Sequence, residues 1–373
     1  MTIKKGASSA ENPHRAVREV AEAIRQPDVA LVIVFVSSKY DMAALGGALK
    51  RTFDCPVIGC TTAGEIVSGM GYREGMLIGI SLSSPHLVAH PRMIRPLSRF
   101  NQVEGERLAQ DLTAGLKLGD RLDASKMFAM LMVDGLSMLE EPLVSTLHRA
   151  LGGVSLIGGA AGDDLKFRET YVYWDGKFLR DAAVVTLFET TLPFKLFHIQ
   201  HFEPTDIRLA ITECDSPSRT VHEINGAPAA GEYARMLGLD IGELNSQTFA
   251  AHPVMLKIEG EYFVRSIQRV NPDGSLKFYC AVENGQILTV GRGKGLVENL
   301  EENLAGLRRE LPTLKAILGC DCILRRLELK QKGLIASADK VLDTVDFFGF
   351  STYGEQFNGV HVNQTLTGIA LGE

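Results

Sequence analysis

Three stretches of this chain are almost wholly apolar: residues 29–36, 127–133 and 314–320. Short apolar runs of this kind read as strands buried on both faces, as parallel strands usually are. A helix pattern follows each. After the first, Asp41 can cap a helix with Met42, Leu45, Leu49 and Phe53 on one face. After the second, Glu140-Glu141-Pro142 opens a helix carrying Leu143, Leu147 and Leu151. After the third, Ala338, Val341, Leu342 and Val345 recur at helical spacing. Matching apolar strands at 77–82 and 366–371 close the first and third of these stretches.

One short phrase stands at the end of each unit. It reads Ile58-Gly59-Cys60-Thr61-Thr62-Ala63-Gly64-Glu65 in the first and Phe348-Gly349-Phe350-Ser351-Thr352-Tyr353-Gly354-Glu355 in the third. The middle copy, Ile157-Gly158-Gly159-Ala160-Ala161-Gly162-Asp163, is one residue shorter and lacks the hydroxyls. Internal similarity of this kind comes before any choice of fold. The reading is a strand–helix–strand unit used three times, with Gly59, Gly158 and Gly349 at equivalent strand exits. Glycine there permits a sharp turn or a close approach of another backbone. Free N–H groups beside Thr hydroxyls form a donor surface for an anion or carbonyl. Glu65 and Glu355 are expected at the rim of a cleft, suited to an amine or cation. A tight turn after a buried strand explains one copy equally well; the repeated acid is what favours a site.

The remaining pattern fills in the chain. Val17, Val20, Ala21 and Ile24 make a helix ended by Pro27, after a polar N-terminal segment. Residues 83–101 read as a strand with a loop, and Leu108, Leu112 and Leu116 as a helix ended by Gly119-Asp120. Tyr171 to Phe178, with Asp175-Gly176 at the turn, is a hairpin signal that packs Trp174. Beyond 190–193 the alternation loosens into strands at 194–202 and 207–212, a helix after Pro228 and a hairpin over 262–281. A strong helix face follows at Val297, Leu300, Leu304, Leu307 and Leu311. The fold class is α/β, in two domains of sheets flanked by helices: an N-terminal segment and helix at 1–27, a domain of two units at 28–192, and a domain at 193–373 that ends with the third unit.

Composition narrows the function. The 373 residues are 45% hydrophobic and 23% charged, with net charge −6. Nothing there attracts nucleic acid. No stretch is long and apolar enough for a membrane span, and no signal peptide shows. The six cysteines are scattered except for Cys320 and Cys322, as in a reduced, cytoplasmic protein.

These phrases, taken with Asn225-Gly226-Ala227-Pro228-Ala229 and Asn363-Gln364-Thr365, resemble the FIST family across residues 28–371. The resemblance implies an N-terminal and a C-terminal FIST domain in a cytosolic, bacterial-type sensor of small ligands for signal transduction. Family members are often fused to output domains; here the output is expected in a separate protein. The segment Cys320-Asp321-Cys322-Ile323-Leu324-Arg325-Arg326 and the ending Gly359-Val360-His361-Val362-Asn363-Gln364 are similar to stand-alone members that bind haem b and report nitric oxide to a partner histidine kinase in a two-component system. On that reading His361 is the axial ligand, with Cys320 and Cys322 as alternatives. The expected ligand-binding residues are Cys60, Thr61, Thr62, Gly64, Glu65, Gly159, Asp163, Ser351, Thr352, Tyr353, Glu355 and Asn363. The ligand is a diatomic gas, or in the alternative another small molecule such as an amino acid. A homodimer is compatible with the sequence.

Enzyme signatures are poor. There is no phosphate loop, and Gly291-Arg292-Gly293-Lys294-Gly295 lacks dinucleotide-loop spacing. The third phrase is no nucleophile elbow, whose second Gly comes two residues after the Ser. Glu65 and Glu355 as paired acid–base carboxylates are the enzymatic alternative. The expectation is a sensor rather than an enzyme.

Overall fold

The computed structural model describes residues 1–114, 116 and 123–373. The expected helix end at Gly119-Asp120 lies outside the described residues.

The first unit runs β1 (Thr2–Ser8), α1 (Pro13–Ile24), β2 (Val29–Ser37), α2 (Met42–Thr52), β3 (Val57–Thr62), a small hairpin of β4 (Glu65–Val67) and β5 (Gly71–Arg73), and β6 (Leu77–Ser83). The second repeats this order: β7 (Leu87–Ile94), α3 (Gln102–Thr113), β8 (Met127–Val133), α4 (Glu140–Ala150), β9 (Ser155–Ala160), the hairpin β10 (Val172–Trp174) and β11 (Lys177–Leu179), and β12 (Ala183–Thr190). The third begins with β13 (Phe194–Ile199) and is then interrupted. The insertion holds β14 (Phe202–Asp215), β15 (Thr220–Ile224), β16 (Ala227–Pro228), α5 (Ala229–Leu237), α6 (Ser246–Ala251), β17 (Val254–Ile258), β18 (Glu261–Arg265), β19 (Ile267–Val270), β20 (Leu276–Phe278) and β21 (Ile287–Gly293). The unit resumes with α7 (Leu296–Glu310), β22 (Leu314–Cys322), α8 (Ile323–Gln331), α9 (Ile335–Leu342), β23 (Phe347–Thr352), the hairpin β24 (Glu355–Phe357) and β25 (Val360–Val362), and β26 (Leu366–Gly372).

The hairpins do not stay in their own sheets. The strand orders are β1-β6-β2-β3-β10-β11, β7-β12-β8-β9-β24-β25 and β13-β26-β22-β23-β4-β5. The first unit thus lends its hairpin to the third sheet, the second to the first and the third to the second. The exchange closes a circle, so no sheet is complete without another unit, and the core is continuous across residue 193. The insertion forms its own eight-stranded sheet.

The pattern of the apolar runs now has its reason. Each sheet holds a parallel pair at its centre: β2 with β3, β8 with β9, β22 with β23. The inner faces of all three meet in one core, where Phe35 stacks on Phe350 at 4.3 Å and Phe128 on Phe188 at 4.5 Å. The outer faces are covered by α1 and α2, by α3 and α4, and by α7 and α9. Strands buried on both faces cannot show alternation. Strand β1, in contrast, is an edge strand paired with β6. Its lysines mark an edge, which is why the sequence shows it as a polar N-terminal segment.

The three phrases meet at the centre of the exchange. Ala63 N donates to Ser351 O (2.9 Å), Tyr353 N to Ala160 O (3.2 Å) and Gly162 N to Thr61 O (2.9 Å). A second set runs between the same segments: Ser351 N to Gly64 O (2.7 Å), Ala160 N to Gly354 O (2.8 Å) and Thr61 N to Tyr171 O (2.9 Å). The three repeats are therefore equivalent at Thr61, Ala160 and Ser351, as the aligned phrases require. The glycines correct one expectation. Gly59, Gly158 and Gly349 lie inside their strands rather than at the exits, opposite Val34, Leu131 and Gly319. A Cβ at these positions would sit 2.3, 2.3 and 2.1 Å from the carbonyl oxygens of those partners. The phrase needs glycine for close backbone approach.

Its acids also have structural partners. Glu65, 1% exposed, accepts from Thr62 Oγ1 (2.6 Å) and Met76 N (3.1 Å). Glu355, fully buried, accepts from Thr365 Oγ1 (2.8 Å) and Thr365 N (3.2 Å). Each carboxyl fastens the return from a lent hairpin. In the middle unit the acid of the phrase, Asp163, bonds its own loop and Tyr353 instead. There Asp134, at the end of β8, accepts from Asp181 N (2.7 Å) and from the Thr170 hydroxyl. Glu65 and Glu355 are thus interior, correcting the expected carboxylate rim. No hydrogen bond joins them, and they do not form a pair.

Two outcomes test this arrangement. Gly59→Ala should destabilise the chain by about 1–3 kcal/mol or more, because packed backbone cannot recede. Gly306→Ala, in α7 with only the Arg309 side chain nearby at 3.8 Å, should be neutral or stabilising. Equal urea midpoints for the two variants would contradict the close-approach account. The second concerns pH. Burial, with Asp164 adding to it, pushes the Glu65 carboxyl up to about 8 despite bonds from Thr62 and Met76 and the Arg326 charge. A raised folded pKa gives stability that is fully present below the unfolded value and is lost as pH climbs through the folded one. Wild-type unfolding free energy should therefore fall between about pH 5 and 8 more steeply than that of Glu65→Gln. Parallel profiles would show that the carboxyl is ionised in the fold.

Candidate functional site

A cavity of about 120 Å³ lies where the second unit, the insertion and the third unit meet. Gly135, Leu136 and Met138 come from the segment after β8, Glu140 from the start of α4, and Ile323 and Leu324 from the start of α8. Tyr353 follows β23, and His361 belongs to β25. The insertion supplies Arg219, Gln268, Lys277, Phe278 and Tyr279. Gly135, Ile323 and Tyr353 all lie just beyond the carboxyl ends of parallel strands, the usual place for ligands on such sheets. Gly135 lets the wall come close, since a Cβ there would be 2.0 Å from Ala161 O.

The mouth is built on unusual backbone. Met138 has φ 61° and Phe167 φ 51°, and both are large apolar side chains left exposed, at 41% and 44%. Left-handed backbone at such residues costs energy and is concentrated at functional sites. What holds Phe167 there is Asp163. Its carboxylate accepts from the N–H groups of Phe167 (2.8 Å), Arg168 (2.7 Å) and Glu169 (3.0 Å), and from the Tyr353 hydroxyl. Tyr353 in turn stacks on Phe167 at 4.6 Å. One buried acid therefore fixes two aromatic walls.

The inner wall is charged. Arg219 donates to Glu140 (2.6 Å) and Glu141 (2.7 Å), both on α4. Burial, with the neighbouring Glu141 charge, pushes Glu140 up to about 7 against the pull of Arg219. Burial opposes the Glu141 charge as well, but the His361 imidazole, Arg219 and the Ala281 N–H outweigh it and its pKa is lowered. His361 is pushed down to about 4 by burial, with Glu141 opposing and Arg219 and Arg265 adding to the fall. It is a neutral imidazole at pH 7. Its Nδ1 lies 3.1 Å from Gln356 Nε2, a donor, which leaves the ring proton on Nε2. A carboxyl raised to about 7 and an imidazole lowered to about 4, both lining one cavity, are the kind of perturbed groups that mark functional sites.

The sequence-predicted residues divide sharply. Tyr353 and His361 line this cavity, and Asp163 stands directly behind it. Cys60, Thr61, Thr62, Gly64, Glu65, Gly159, Ser351, Thr352 and Glu355 are buried in the junction of the phrases, and Asn363 is 1% exposed beside Gly354. They build the junction and line no open cleft. Cys320 and Cys322 are buried at the end of β22, and burial, with other charges adding, raises both thiols well above their ordinary range. Among the described residues, no three His, Cys, Asp or Glu side chains cluster in a way that could hold a metal ion. Sequence reasoning missed Phe167, Arg219, Gln268, Lys277 and Tyr279. Phe167, Arg219 and Gln268 come singly from separate segments and Lys277 and Tyr279 together from β20 and its exit, and only Glu140-Glu141 carried a signal, read there as a helix start.

The chain is 26% identical, over 319 residues and 81% of its length, to an uncharacterized protein of Methanocaldococcus jannaschii. It spans 56%, about half, of that relative's length. Residues 30–227 match the FIST N domain and residues 229–358 the FIST C domain, so the cavity draws residues from both. The chain belongs to the FIST family.

Proposed function

We propose that this protein senses a small molecule held in the cavity between its FIST N and FIST C portions. FIST domains are small-ligand sensory domains in signal transduction. The observation that carries the reading is the convergence on one cavity of two aromatic walls, two left-handed mouth residues and a buried charge cluster. Its volume of about 120 Å³, below the roughly 300–1,000 Å³ of pockets for drug-sized ligands, favours a small ligand such as an amino acid. Polar groups at Lys277, Gln268 and His361 would orient it. Binding acts as a signal only if the ligand prefers one of two conformations. The mouth residues Met138 and Phe167 are the elements poised to differ between them. The ligand leaves unchanged, so the protein works as a sensor rather than a catalyst, and a separate signalling protein reads its state.

A second reading is favoured by one observation: His361 lines the cavity. It takes His361 as the axial ligand of haem b, with nitric oxide as the signal and a histidine kinase as the partner. A porphyrin is larger than the cavity, so the Met138 and Phe167 segments would have to open. Ligation through Nε2 would also need the proton on Nδ1, hence a rotated Gln356 amide. The small-metabolite reading needs neither change.

The test is thermal stabilisation by a panel of free amino acids and small aromatic carboxylates, with haem titrated in parallel. A true ligand at a hundred times its Kd stabilises by about 2.7 kcal/mol. Phe167→Ala should weaken its binding at least tenfold with little change in the apo melting temperature. A ligand that binds Phe167→Ala as well as wild type would move the site elsewhere. Haem uptake with a Soret band altered by His361→Ala would select the second reading.

A further inference from the structure

A groove of about 500 Å³ runs along the seam between the third sheet and the insertion. Five consecutive residues of β13, from Lys195 to Ile199, line it. Successive side chains of a strand point to opposite faces. A groove that touches all five must therefore follow the backbone edge of the strand. Among the described residues that edge is open: β13 ends its sheet and pairs with β26 alone. The facing wall is Glu261 and Phe263 of β18, which ends the inserted sheet, together with Phe357 of the lent hairpin. The His198 ring lies 5.5 Å from Phe263 and 5.3 Å from Phe357, and its buried Nε2 has no hydrogen-bond partner among the described residues. The rim is acidic. Glu302 and Glu310 of α7 stand with Glu261 against one cation, Lys195, and Lys195 is already paired with Glu310. Glu261 and Glu302 have no ion pair among the described residues.

We propose that β13 is a docking edge for an extended, basic segment of a partner protein, which joins the third sheet as an added strand. Backbone hydrogen bonds to the open edge supply the affinity of such strand addition, and pockets for alternate side chains supply its specificity. Here the alternate apolar side chains meet Phe263 and Phe357, and the cations meet Glu261 and Glu302. The groove and the ligand cavity share a wall. The hairpin β24–β25 turns Phe357 to the groove and His361 to the cavity, and Arg265 of β18 donates to the His361 carbonyl (2.5 Å). Transmission of a ligand signal along this hairpin rests on the proposed function; the docking itself does not.

The experiment titrates the full chain into a fluorescein-labelled peptide, Lys-Val-Thr-Val-Lys-Val, and follows anisotropy with no small ligand present. Two control peptides replace the lysines by glutamates or the valines by prolines. The basic peptide should bind at least tenfold more tightly than either control, and the Glu261→Lys/Glu302→Lys double variant should lose at least tenfold. Both glutamates are exposed, and circular dichroism checks the variant's fold. Equal binding of the proline peptide, or undiminished binding to the double variant, overturns the proposal. So does the absence of binding at millimolar peptide. Sedimentation showing self-association that protects the β13 amides would also overturn it, by giving the edge to a second copy. Failure in any of these ways leaves the ligand cavity untouched.

Discussion

Three places where one backbone presses on another decide this structure: Gly59 on Val34, Gly158 on Leu131 and Gly349 on Gly319. There the central strand pairs come too close for any Cβ. Beyond them the chain leaves its own sheet and lends a hairpin to another. Because the lending is cyclic, the backbone bonds that join the phrases close on themselves. A break at one point removes a strand pairing from two sheets. Buried backbone groups left without partners cost roughly 1–3 kcal/mol each, so the junction is expected to open only when the whole core opens.

The same closure sets where function can sit. The phrases fill the centre with buried side chains: Glu65 is bonded to Thr62 and Glu355 to Thr365, while Ser351 Oγ, Glu355 Oε1 and both amide atoms of Asn363 have no hydrogen-bond partner among the described residues. The space lies one layer out, where segments leaving β8, β22 and β23 meet the insertion. The interruption of the third unit between β13 and α7 supplies Arg219, Gln268, Lys277 and Tyr279 to that space. Repetition built the scaffold, and the one departure from repetition built the site.

How much of this the sequence shows depends on the range of the interaction. The apolar runs, most of the helix faces and the Tyr171–Phe178 hairpin are local and lie where the pattern places them, although α3 is described only to Thr113 and α9 ends at Leu342, short of Val345. The threefold phrase correctly marks equivalent positions, because identical backbone constraints select identical residues. Its glycines were expected at strand exits, since a turn and a close approach leave the same trace in a sequence. The destination of each hairpin could not be read: pairing between β4 and β23 joins residues as distant in sequence as Val67 and Phe348. Glu65 and Glu355 look like a rim because carboxylates are usually exposed, whereas here Thr62 and Thr365 hold them inside. Tyr353 and His361 were legible by nearness to the third phrase. Phe167 and Arg219 were not, having no neighbour in sequence that shares their role.

The account stands or falls on the junction behaving as one unit. Native-state hydrogen exchange of the Ala63, Gly162 and Tyr353 amides measures this most directly, since each donates one bond of the ring to a different repeat. The account predicts a single opening free energy for all three, equal to that of global unfolding and responding to denaturant with the global slope. An amide among them that exchanges through a smaller, local opening would show that its sheet unfolds alone, and would contradict the closed exchange of hairpins.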